Sequence, residues 1–90
     1  MSEQTLPITI KLTGKRGLDP KVASEMAVIA THFDCDEITL TCNERTVDVK
    51  SIVALMSIGA QQGDKVRLHA QGRQALEAVD ALIAVIQEDA

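Results

Sequence analysis

Two short stretches hold the side chains best placed to do chemistry. In Gly17-Leu18-Asp19-Pro20 the chain turns, behind a basic lead-in of Lys15 and Arg16, and one carboxylate stands at the start of a helical pattern. In Lys50-Ser51-Ile52 a hydroxyl stands at the start of another. Asp and Ser accept hydrogen bonds from the first backbone N–H groups of a helix, and Pro is favoured just after the cap. A helix start also presents a partial positive charge to an anion. Asp19 therefore has two readings, a helix cap or an aspartyl-phosphate acceptor. The acceptor needs activation, usually by a metal ion, and Glu25 lies too far along the helix to share one easily. For Ser51 the two readings are compatible: a cap, and a regulatory phosphorylation site, because phosphate is favoured at a helix N-terminus.

The other titratable groups offer less. His32 falls at the end of the first helical pattern, roughly three turns from the anion-binding end. His69 alternates outward on a strand, and both histidines read as ordinary exposed residues. His32, Asp34, Cys35 and Asp36 have no standard ligand spacing, so no metal is expected, and no cofactor. Cys35 and Cys42 do not form a CxxC pair; they read as reduced thiols, with Cys42 in the core.

The elements that must position these groups follow from hydrophobic period. Leu6, Ile8, Ile10 and Leu12 alternate with polar residues as a half-buried strand. Over residues 20–33 the period becomes helical, with Val22, Met26, Ile29, Ala30 and Phe33 inward and Lys21, Ser24, Val28 and Thr31 outward. Ile38, Leu40 and Cys42 alternate again, Asn43-Glu44 turns, and Val47 and Val49 continue as a third strand. Ser51 opens a short helix from Ile52 to about Ile58, ended by Gly59. After the turn Gln62-Gly63-Asp64, Val66, Leu68 and Ala70 form a fourth strand. Gly72 opens the last helix, with Leu76, Val79, Ile83 and Ile86 inward and Glu77, Asp80 and Glu88 in water. Strands apolar on one face, with three helices to cover it, predict a two-layer α+β sandwich whose other sheet face is wet.

Composition narrows the classes. The 90 residues make one domain, 1–90, with no room for two cores. Phe33 is the only Phe, Tyr or Trp, so the core is aliphatic. A net charge of −4 with scattered Lys and Arg argues against a nucleic-acid surface, which needs clustered cations and often aromatic platforms. No apolar run is long enough for a membrane span, and the start lacks the pattern of a secretion signal; the expected location is the cytoplasm.

The element order, "GLDPKVAS", "VDVKSIVALMSIGAQQGD" and "HAQGRQALEAVDALI" resemble HPr, the histidine-containing phosphocarrier family of the bacterial sugar phosphotransferase system. The resemblance runs from about Ile8 to Ile86. It is most specific at Lys50-Ser51-Ile52-Val53-x-Leu55 with Gly59 and Gly63 behind it. It implies the HPr-like open-faced sandwich, a four-stranded antiparallel sheet covered by three helices in the order βαββαβα. Members of that family carry a histidine in the first loop, then a small residue, an arginine and a proline. The matching positions here read Asp19, Pro20, Lys21 and Val22. The resemblance thus implies a non-enzymatic protein that lacks the phospho-accepting histidine, and it marks Ser51 as the serine that a dedicated kinase modifies in one branch.

The short second helix is apolar almost all round, and a one-sided helix cannot bury Ile52, Val53, Leu55, Met56 and Ile58 together. With Pro20, Lys21, Ser24 and Val28, the residues Ile52, Val53 and Met56 form the expected interface for protein partners of a phosphotransferase-type pathway, the surface that the family uses for docking. The expected state is a monomer or weak homo-oligomer, engaging neither nucleic acid nor membrane. The first alternative is a true phosphocarrier with a displaced acceptor, Asp19 or a histidine. The second is a small ligand- or nucleic-acid-binding module using the wet sheet residues Thr9, Lys11, Thr39, Thr41, Arg67 and His69.

Overall fold

The computed structural model describes residues 7–13 and 17–89. Its elements are β1 (Ile8–Lys11), α1 (Pro20–His32), β2 (Glu37–Cys42), β3 (Arg45–Asp48), α2 (Ile52–Ser57), β4 (Lys65–Gln71) and α3 (Ala75–Asp89). Leu6, Lys15 and Arg16 lie outside the described residues.

The four strands form one antiparallel sheet in the order β1-β4-β2-β3. β1 and β2 both pair with β4, so they run parallel to each other; β3 and β4 are related in the same way through β2. α1 and α2 each carry the chain past one intervening strand, giving two interleaved βαβ units. This is the open-faced α+β sandwich that the strand alternation predicts.

Period-2 patterning fixes which side is covered. Ile38, Leu40 and Cys42 on β2, and Val66, Leu68 and Ala70 on β4, are buried under the helices. Ile8 and Ile10 on the edge strand β1 are half-buried and pack against that core. α1 turns Val22, Met26 and Ala30 inward as its spacing predicts, with Ala23 and Ala27 beside them. Ile29 and Phe33 pack at the margin of the core. The core is aliphatic, and each fully buried Leu or Ile contributes roughly 1.5–3 kcal/mol.

Three boundaries differ from the sequence expectation. Val49 lies just past β3, fully buried, with its N–H still donating to Ile38 O at 3.0 Å. α2 stops at Ser57, and Ile58 is its C-cap. The third difference is larger. Gly72 does not open α3, which begins at Ala75. Gly72 has φ +135°, and a Cβ there would stand 2.6 Å from Asp36 N, so it belongs to a loop pressed against residues 35–36. The buried stripe of α3 is Ala75, Ala78, Val79, Leu82 and Ile86, and Leu76 is 57% exposed. A stripe counted from Leu76 leaves out Leu82, whereas turning the helix buries Leu82 and brings Ala75 and Ala78 to the seam. Small side chains there let α3 approach α1 and the sheet closely.

Candidate functional site

The chain enters α1 through a tightly held turn. Gly17 has φ +63°, and a Cβ on it would stand 2.5 Å from Ala60 O, so only glycine fits against the segment after α2. Leu18 N–H donates to that same Ala60 O at 3.1 Å. On the strand side, Leu12 N–H donates to Asp64 O and Gly63 N–H to Leu12 O, both at 2.8 Å. The start of α1 is thereby fixed against the far end of α2.

Asp19 is the N-cap of α1, in extended backbone, and its Oδ1 accepts from Val22 N at 2.9 Å. Pro20 has no N–H. Of the first three helical positions, at most Lys21 keeps an N–H to offer another anion. The carboxylate occupies the anion position at the helix start and brings its own negative charge there.

Ser51 caps α2 in the same way, its Oγ accepting from Ala54 N at 3.2 Å. Just before it, Lys50 N–H donates to Asp48 Oδ1 at 2.9 Å and Lys50 Nζ reaches Cys35 O at 3.4 Å. At the other end of α2, Arg45 Nη1 donates to Ser57 O at 3.0 Å. α2 has no basic residue in its own last turn, and the cation that suits its negative end comes from β3 instead. That contact is invisible in the linear pattern. Because Leu18 is tied to Ala60 and Ser51 opens α2, the two caps lie at opposite ends of α2.

The apolar residues foreseen as an interface are exposed: Val53 by 79%, Val28 by 64%, Met56 by 45% and Ile52 by 40%. Pro20, Lys21 and Ser24 are also exposed on α1. Ser24 and Val28 line a shallow groove with Glu25, Ile29 and Val85 of α3. The exposed surface of α1 therefore continues toward α3, which spacing along α1 alone does not reveal. Leu55 is the α2 residue that turns fully into the core.

His32 is exposed near the C-terminal end of α1, edge-on to Phe33 with ring centroids 5.2 Å apart. His69 sits on the open sheet face opposite Thr39. Among the described residues no three His, Cys, Asp or Glu side chains gather into a metal-binding group. Both cysteines are free thiols. Burial pushes the Cys35 thiol above its usual range, against the Lys50 cation and with help from Asp34, Asp36 and Glu77. Burial, with Asp64 nearby, does the same to Cys42. Neither is an activated thiolate. No helix among the described residues is long and apolar enough to cross a membrane.

The fold defines a class: small open-faced α+β sandwiches with capped helix starts beside exposed apolar helical residues. Within it, the chain belongs to the HPr family, because the family model "PTS HPr component phosphorylation site" matches residues 7–88. Family members are phosphocarriers and not true catalysts. The phosphocarrier protein HPr of Vibrio cholerae is 34% identical over 79 residues, 88% of this chain and 92% of that protein. The HPr-like protein Crh of Bacillus subtilis is 36% identical over 75 residues, 83% of this chain and 87% of that protein. The crystal structure of HPr-C-His from Thermoanaerobacter tengcongensis superposes with a TM-score of 0.84 at 33% identity, covering 91% of each chain.

Proposed function

We propose that this chain is a non-enzymatic HPr-like protein that docks protein partners of a phosphotransferase-type pathway in the cytoplasm and carries no phosphate at Asp19, the position matching the family's phosphohistidine. The observation that carries the reading is the Asp19 carboxylate bonded to Val22 N–H, beside a proline that has none to give. Lys21 stands where the family has an arginine, and a point charge does not replace a planar bidentate clamp on a phosphoryl group. The docking surface is Pro20, Lys21, Ser24, Val28, Ile52, Val53 and Met56. Its exposed aliphatic and thioether side chains suit an adaptable protein contact. Ser51 is the switch: phosphate there would add negative charge at the start of α2, next to Ile52 and Val53.

The test is incubation with phosphoenolpyruvate and the general phosphotransferase enzyme, with a native HPr as positive control. The expected result is no incorporated label. Hydroxylamine-labile label that disappears in Asp19→Asn would instead assign an aspartyl-phosphate carrier, and acid-labile label would point to a histidine. Met56→Asp should abolish capture of the pathway's partner proteins while leaving the fold intact; unchanged capture would move the docking surface elsewhere.

A further inference from the structure

The helical layer accounts for the docking surface above, and the opposite face of the sheet carries a second pattern. Lys11 and Lys65 stand directly opposite each other in the β1–β4 register. One outward position further along β4 is Arg67, flanked by Thr9 on β1 and Thr41 on β2. Lys11, Lys65 and Arg67 are all exposed. Like charges placed directly opposite on a sheet repel. Among the described residues no carboxylate stands opposite any of the three in the strand register, and Glu44, at the β2–β3 turn, is the carboxylate that lines the groove beside them. The chain has 13 acidic and 9 basic residues, yet three of the basic ones converge on one corner where nothing in the core calls for them.

The corner is also shaped. A groove there is lined by Thr9, Thr41, Asn43, Glu44, Lys65 and Arg67, and the Thr41 and Thr46 hydroxyls are 2.8 Å apart beside it. Outward residues two apart on a strand are separated by roughly 6.5–7 Å, so Lys65 and Arg67 are spread along a line and do not converge on one point. That spacing matches side chains at alternate positions of an extended peptide, and it does not match a single small anion. Glu37 and Asp48 lie further along the same face, so the basic corner is short. No aromatic residue offers a platform for bases there, which disfavours a single-stranded nucleic acid.

We propose that this β1–β4 corner of the open sheet docks a short extended polypeptide segment with carboxylates at alternate positions. Lys11, Lys65 and Arg67 would meet the carboxylates, and the hydroxyls of Thr9 and Thr41 would hydrogen-bond to the segment. This inference does not depend on the fate of the helical surface or of Asp19.

The test is a titration of the isotope-labelled protein, followed by amide NMR shifts, with a short peptide of alternating glutamate and threonine. Comparators are an alternating lysine–threonine peptide, inorganic phosphate and a single-stranded oligonucleotide. The expected result is saturable shifts at Thr9, Lys11, Thr41, Lys65 and Arg67 with the acidic peptide, weakening as salt is raised. The double variant Lys65→Gln with Arg67→Gln should bind at least about fivefold more weakly, the size expected for losing two partly screened charge contacts. Its thermal midpoint should match wild type, and Arg73→Gln should bind as wild type does. Absence of saturable shifts, shifts confined to the helices, or equal binding of the lysine peptide would overturn the proposal. So would the same response to phosphate alone, or tighter binding of the oligonucleotide.

Discussion

The starts of α1 and α2 make the same bond with different chemistry. Each has a side-chain oxygen three residues before a helical N–H: Asp19 to Val22 at 2.9 Å and Ser51 to Ala54 at 3.2 Å. At α1 the cap is a charged carboxylate with Pro20 behind it, on a 13-residue helix that buries five of its side chains. At α2 the cap is a neutral hydroxyl on a six-residue helix that buries one. The first start already has a carboxylate at its N–H groups and anchors a well-buried helix. The second has a neutral hydroxyl there, on a helix whose Ile52, Val53 and Met56 face outward. Two sites with the same hydrogen-bond geometry thus differ in the charge they carry and in how much of their helix is buried.

The largest expected effect breaks that difference at α1. Asp19→His combined with Lys21→Arg should give a chain that takes label from a phosphotransferase donor, whereas wild type should take none and Asp19→His alone little. A well-folded double variant that stays inert with a competent donor would show that the first loop is not what separates the two starts. Next in size is the anchor of α2. Leu55→Ala removes its fully buried side chain and should destabilise by about 2–5 kcal/mol in denaturant unfolding. Val53→Ala, on the exposed side, should stay within about 0.5 kcal/mol of wild type. The caps themselves come third. Asp19→Ala should cost about 1–2 kcal/mol and Ser51→Ala about 0.5–1 kcal/mol, because the carboxylate bond is shorter, charged and supports a longer helix. Equal losses would mean that the charge on Asp19 adds nothing to its cap. The smallest effect reads the charge beside Ser51. Lys50 holds the Cys35 thiol down against the upward push of burial. Lys50→Gln should therefore raise that thiol further and slow its alkylation at mildly alkaline pH, and a faster reaction would contradict the arrangement.

Much of this was legible residue by residue. Asp19 followed by Pro20 announced a cap, and Ser51 before an apolar run announced another; both hydrogen bonds are present. The exposure of Val28, Ile52, Val53 and Met56 followed from counting apolar residues against the width of one helical face. The buried face of α3 is not legible in the sequence because alanines are weak signals. Leu76 looked like core by size, yet its neighbours Ala75 and Ala78 are the residues that fit the seam. The groove joining Ser24 and Val28 to Val85 depends on how α1 and α3 meet, and neither helix encodes that by itself.

What the sequence determined alone is everything carried by local period and local bonding: strand alternation, the capped starts of α1 and α2, the two-residue turn at Asn43-Glu44, and an aliphatic core. Only the tertiary structure decided what requires two distant segments to meet. Gly17 had to be glycine because Ala60 O stands against it. Arg45 closes α2 because β3 passes beside Ser57. Lys11 confronts Lys65 because β1 and β4, far apart in the chain, share one register. A sequence sets each side chain's own preferences, but the field and the space around it come from atoms that folding brings from elsewhere.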